Sequence, residues 1–137
     1  MAKVDMTTDL KVDPDKLWEL IGGFNTLPDW HPAVEKSELD EGGKVRRLSL
    51  AGGGEIVEKL EKIDNNERVY TYSIVNSPLP VANYTATIRV KEGGDGNSVV
   101  EWASEFNADG APENDAIETI QGIYQAGFDH LKKMFEG

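Results

Sequence analysis

The period of the hydrophobic positions changes three times along the chain. Over residues 2–12, AKVDMTTDLKV, the apolar side chains Val4, Met6, Leu10 and Val12 fall on even positions, an imperfect period of two that predicts a strand. DPDKLWELIGG then predicts a short helix: Asp13 suits the N-cap, Pro14 the first helical position, and Leu17, Trp18 and Ile21 share one side before Gly22-Gly23 ends it. FNTLPDW predicts a second helical turn, broken around Pro28 and Pro32.

From Ala33 to Asn107 the period returns to two. VEKSEL, VRRLSL, EIVEKLEKI, RVYTYSIV, ANYTATIRV and NSVVEWASEF are separated by the turn sequences DEGGK, AGGG, DNNE, NSPLP and KEGGDG. With the first strand they predict a seven-stranded antiparallel meander. The last segment, APENDAIETIQGIYQAGFDHLKKMF, has a helical period, with Ile117, Ile120, Tyr124, Phe128, Leu131 and Phe135 in one stripe. Glu113 and Asp115 near its start, and Lys132 and Lys133 near its end, suit the helix dipole. No repeat or linker interrupts the order β-α-α-β6-α, so residues 1–137 read as one α+β domain.

Parity sorts the strand residues into faces. Tyr70, Tyr72 and Ile74, Tyr84, Ala86, Ile88 and Val90, and Val100, Trp102 and Phe106 make the even positions of the last three strands large and apolar, so the even face is the core face. On earlier strands the same rule turns Arg46, Leu48, Ile56 and Glu58 inward and Val57 outward. Inward tyrosines need hydrogen-bond partners that a strand's own backbone ladder does not supply.

Composition narrows the partners. A net charge of -11 and a pI near 4.5 oppose binding to phosphate backbones and anionic membrane surfaces, so nucleic acid is not an expected partner. Cysteine is absent, which removes disulfides, thiol nucleophiles and thiolate metal sites and makes the cytoplasm the expected location. No apolar leader and no run of about 18 apolar residues is present, so neither a signal peptide nor a membrane span is expected. Gly52-Gly53-Gly54 lacks the Lys-Ser/Thr of a phosphate loop and reads as a hairpin turn. His31 and His130 lack a ligand pattern with carboxylates, so no metal or other cofactor is expected.

The order of DPDKLWELIGGFNTLPDWHPAV, VRRLSL, GEIVEKLEKIDNNERVYTYSI, ANYTATIRV and the long last helix resembles the Bet v 1-like, START-related helix-grip superfamily (SRPBCC), specifically its polyketide cyclase/dehydrase-like group, which is also similar to plant abscisic-acid receptors. The resemblance implies a curved antiparallel sheet gripping the last helix, with a cavity for an apolar or amphipathic small molecule between them. It places His31 where the receptors use a lysine to meet a ligand carboxylate, Glu58 at an inward acid, and Tyr84 near the cavity mouth. Ile120, Ile123, Tyr124 and Gly127 fall on or beside the gripping face, where Gly127 would leave room. The receptors' Leu-Pro gating element is missing from the shorter AGGGE.

The candidate ligand-binding residues are therefore Trp30, His31, Leu48, Ile56 and Glu58 from the first half of the chain. Tyr72, Tyr84, Trp102, Ile120 and Tyr124 complete the set. Several have a structural alternative: Trp30 as plain packing, His31 as a partner of local backbone groups, Glu58 as the salt-bridge partner of Arg46. Three functions compete: binding or transport of a hydrophobic small molecule, a cyclase or dehydratase in which His31 or Glu58 moves a proton, and a protein-interaction module with a vestigial cavity. Binding requires a continuous cavity of about 300 Å³ or more. Catalysis requires two proton-handling groups converging on one ligand atom. The pattern assigns no catalytic residue and sets no oligomeric state.

Overall fold

Asp13 starts the first helix as its position predicts: the side chain accepts from the backbone N–H groups of Asp15 at 3.1 Å and Lys16 at 3.2 Å. In the computed structural model, which describes residues 2–136, that helix is α1 (Pro14–Ile21), between β1 (Ala2–Leu10) and α2 (Leu27–Trp30). Pro28 does not break α2. It sits in the helix's first turn, where a missing N–H costs nothing. His31, before Pro32, is extended at φ -117° and ψ 117°, and the chain passes from there into a strand.

The remaining strands are β2 (Val34–Asp40), β3 (Val45–Leu50), β4 (Glu55–Asp64), β5 (Val69–Asn76), β6 (Val81–Glu92) and β7 (Ser98–Ala108), followed by α3 (Glu113–Glu136). They form one antiparallel sheet in the order β1-β7-β6-β5-β4-β3-β2. The expected meander holds from β2 to β7 but not at its first link. β1 pairs with β7, from Ala2 opposite Phe106 to Leu10 opposite Ser98, so β1 and β2 lie at opposite edges. The intervening helices explain the jump, since α1 packs on β6 and β7 while α2 packs on β2, carrying the chain across the end of the sheet. Trp18 fixes that crossing by donating its indole N–H to Asn65 at 3.0 Å. Gly22 makes room for the same indole, because a Cβ there would lie 2.3 Å from Trp18 Cε2.

The sheet is curved, and register shifts in β2, β4 and β6 supply local bends. Its even face and the α3 stripe of Ile120, Tyr124, Phe128 and Leu131 form one core. Val57 departs from the parity rule and is buried, because the register shift between Val57 and Glu58 interrupts strict alternation. Among the described residues no helix is long and apolar enough to cross a membrane.

Candidate functional site

Between the inner face of the sheet and the first half of α3 the core does not close. A cavity of about 250 Å³ remains. Leu48, Ile56, Glu58, Tyr72, Tyr84 and Trp102 line its sheet side. Ile120, Ile123 and Tyr124 line it from α3, and Leu27 and His31 from the α2 end. The less buried Leu50, Ala51, Ile74, Leu79 and Thr119 form its rim. The volume lies below the 300 Å³ expected, which restricts an occupant to a small molecule. A broader depression on the outer face of β4–β6 is walled by charged side chains such as Lys62, Arg68, Arg89 and Glu92 and is open to solvent.

Glu58 is the one carboxylate in this wall, and it is paired. Arg46, on the neighbouring strand and directly opposite in register, donates from Nε to Glu58 Oε1 at 2.7 Å, with Nη2 2.6 Å from the same oxygen. Its Nη1 donates to the Phe24 carbonyl at 3.1 Å and lies 3.5 Å from the Tyr70 hydroxyl. The guanidinium also sits over the rings of Phe24, at 4.3 Å, and Tyr72, at 5.0 Å. Burial pushes the Glu58 carboxyl up from its ordinary range, opposed by the adjacent guanidinium. Both guanidinium contacts fall on Oε1, and no group among the described residues bonds Oε2. Ser104 Oγ is the one buried side-chain polar atom sealed away without a partner among those residues, so Oε2 remains open to the cavity.

The inward tyrosines supply partners to one another. Trp102 donates its indole N–H to the Tyr72 hydroxyl at 3.0 Å, the Tyr72 and Tyr84 hydroxyls lie 3.5 Å apart, and the Tyr84 and Tyr124 hydroxyls are hydrogen-bonded. Burial raises the pKa of all three phenols, which therefore remain protonated near neutral pH. Ser104 lies beside Tyr124, close enough to offset part of that rise without meeting hydrogen-bond geometry. The Tyr124 ring stacks on Trp102 with centroids 4.1 Å apart.

Trp30 does not reach the cavity. It is 1% exposed and packs on Trp102, ring centroids 5.5 Å apart, so its role is packing. His31 lines the cavity, but both of its ring nitrogens are engaged by backbone groups. Nε2 lies 2.7 Å from the Ile123 carbonyl, and Nδ1 accepts from the Ala33 N–H at 3.1 Å, which together specify the Nε2-protonated neutral tautomer. Burial lowers the His31 pKa and favours that neutral form. His31 thus ties α2 and the start of β2 to α3. Gly127 leaves no empty room, contrary to the expectation for it: a Cβ there would lie 2.9 Å from His31 Cδ2 and 3.1 Å from Trp30 Cζ3.

Of the lining residues outside the candidate set, Leu50 and Ile74 follow strand parity and were legible in the alternation. Leu79 and Thr119 carry no such signal, one lying in the β5–β6 connection and the other beside the α3 stripe. No group of three or more His, Asp or Glu side chains among the described residues is arranged to hold a metal ion.

The chain matches the family model described as polyketide cyclase / dehydrase and lipid transport over residues 1–136. It is 45% identical to the protein XoxI from Bacillus cereus, whose structure it matches with a TM-score of 0.96 over 98% of this chain and 96% of that one. The major strawberry allergen Fra a 1.05 of Fragaria ananassa is 24% identical, over 92% of this chain and 86% of the allergen. The Zhui aromatase/cyclase from Streptomyces sp. R1128 shares the fold at 18% identity and a TM-score of 0.78, over 97% of this chain and 92% of that one.

Proposed function

The chain belongs to the polyketide cyclase/dehydrase and lipid transport family, and from that premise we propose that it binds and carries a small hydrophobic or amphipathic molecule between its sheet and α3. One observation carries this reading: an apolar cavity of about 250 Å³ persists inside a core that is otherwise closed by large side chains. Apolar walls with few polar groups suit a buried ligand. A vestigial interior, as in an interaction module, would be filled. For a cyclase or dehydratase, His31 would have to exchange a proton with substrate, and its two nitrogens are already engaged by Ile123 and Ala33. The tyrosines that share the cavity with Glu58 have pKa values raised by burial still further above neutral, which makes them poor proton-transfer partners for it at pH 7.

Native mass spectrometry of protein purified from its own host tests the reading. The expected spectrum contains a retained small molecule that is lost when Ile120→Trp fills the cavity. Ligand-free wild-type protein, or a retained molecule that Ile120→Trp leaves in place, would overturn the proposal.

A further inference from the structure

Resting on that reading of the cavity, we propose that its ligand is a compact, uncharged molecule with an apolar body and a hydroxyl group, which donates to Glu58 Oε2 and accepts from the tyrosine hydroxyls.

The polar groups of the wall lead to this class by counting. Glu58 Oε2 is an acceptor with no partner among the described residues, on a side chain 7% exposed. Unmet acceptors at such a site are costly, and carboxylate oxygens accept more strongly than neutral ones. On the other side, Tyr72, Tyr84 and Tyr124 bring three O–H hydrogens to two mutual contacts. One hydrogen is left over, to be taken by Ser104 Oγ at the Tyr124 end of this hydroxyl chain or presented to the cavity at the Tyr72 end. The Trp102 N–H does not absorb it, because the indole is itself a donor. Hydroxyl rotors can order in either direction along such a chain, so the surplus hydrogen can be presented at Tyr72, beside the cavity. Glu58 and Tyr72 lie on adjacent strands and line the same cavity, and a ligand hydroxyl, with one hydrogen to give and lone pairs to receive, offers what each of them lacks.

Charge excludes the obvious alternatives. Arg46 and Glu58 form a neutral pair, and the guanidinium is already occupied by Glu58, Phe24 and Tyr70. A ligand carboxylate would add an uncompensated negative charge next to Glu58, and an ammonium would add a positive one near Arg46. Fatty acids are therefore disfavoured, although the cavity wall is apolar. Size sets the remaining bound: an engineered apolar cavity of roughly 150 Å³ holds benzene, so about 250 Å³ suits a two-ring molecule.

The test titrates the full chain at pH 7 with four probes of one shape: 2-naphthol, naphthalene, 2-naphthoate and 2-naphthylmethylamine. Calorimetry gives the affinities, and amide chemical shifts locate the probe. 2-Naphthol should bind at least about tenfold more tightly than naphthalene, as one hydrogen bond to a charged group implies, with both charged probes weaker than 2-naphthol by a similar factor. Glu58→Gln should narrow the gap between 2-naphthoate and 2-naphthol, because Arg46 then lacks its counter-ion. If that variant does not fold, the wild-type series decides alone. Naphthalene or 2-naphthoate binding as tightly as 2-naphthol, or shifts confined to residues away from Tyr72, Tyr84 and Tyr124, would overturn this inference and leave carriage standing. Should all four probes fail, the molecule retained by host-purified protein decides: an uncharged hydroxyl compound supports the inference, and a carboxylate or plain hydrocarbon ends it. Failure of all four with ligand-free host protein removes the carriage reading as well.

Discussion

Replacing Glu58 with Gln isolates the charge of the buried pair while keeping its shape and an acceptor for Arg46. In the wild type the guanidinium is 1% exposed, and its other partners, the Phe24 carbonyl and the Tyr70 hydroxyl, are neutral. The variant therefore keeps most hydrogen bonds but leaves a buried cation without an anion. Removing one partner of a buried ion pair costs about 3–5 kcal/mol. Because Gln can still accept from Nε and the aromatic rings over the guanidinium remain, the expected loss is at the lower end, about 3 kcal/mol. For a domain of this size that corresponds to a fall in Tm of roughly 10 °C. Urea unfolding followed by far-UV circular dichroism reads the change as a shift in midpoint at constant slope. The double variant Arg46→Met/Glu58→Leu, which removes both charges and keeps apolar volume, should recover most of the loss. A cost below about 1 kcal/mol for Glu58→Gln, or a double variant no better than the single one, would refute the picture of a buried, charge-neutral pair.

Burial lowers the His31 pKa, so its contribution to stability is fully present above the unfolded value of about 6.5 and is lost as pH falls toward the folded value. Wild-type stability should decline as pH falls below the unfolded value, and His31→Gln should be less stable at pH 7 but flatter on the acid side; parallel slopes would show that His31 is not the group responsible. The two glycines of α3 should respond oppositely to alanine. Gly122 has open space where a Cβ would go, so Gly122→Ala should stabilise by about 0.5–1 kcal/mol through helix propensity. Gly127→Ala meets His31, Trp30 and Trp102 within 3.3 Å and should destabilise by about 1 kcal/mol net in the same denaturation assay; a gain at both positions would contradict the close approach of α2 to α3.

Local signals carried most of the architecture, because each element obeys a rule read within a few residues. Asp13 and Pro14 start α1, the alternation in VRRLSL and RVYTYSIV marks strands, and the stripe from Ile117 to Phe135 marks α3. Parity was enough to bring Leu48, Ile56, Glu58, Tyr72, Tyr84 and Trp102 to one face, since a pleated strand sends every second side chain the same way. What depends on distant partners was not legible there. The pairing of β1 with β7 follows from how α1 and α2 cross the sheet end, and the burial of Val57 from a register shift against β5. The roles of Trp30 and His31 were decided by α3: only once Gly127 and the Ile123 carbonyl are brought against them does one become packing and the other a tie between backbones. Likewise the sequence placed Arg46 and Glu58 on adjacent inner positions, whereas which carboxylate oxygen the guanidinium takes, and so which one faces the cavity, is a matter of side-chain geometry that no spacing along the chain encodes.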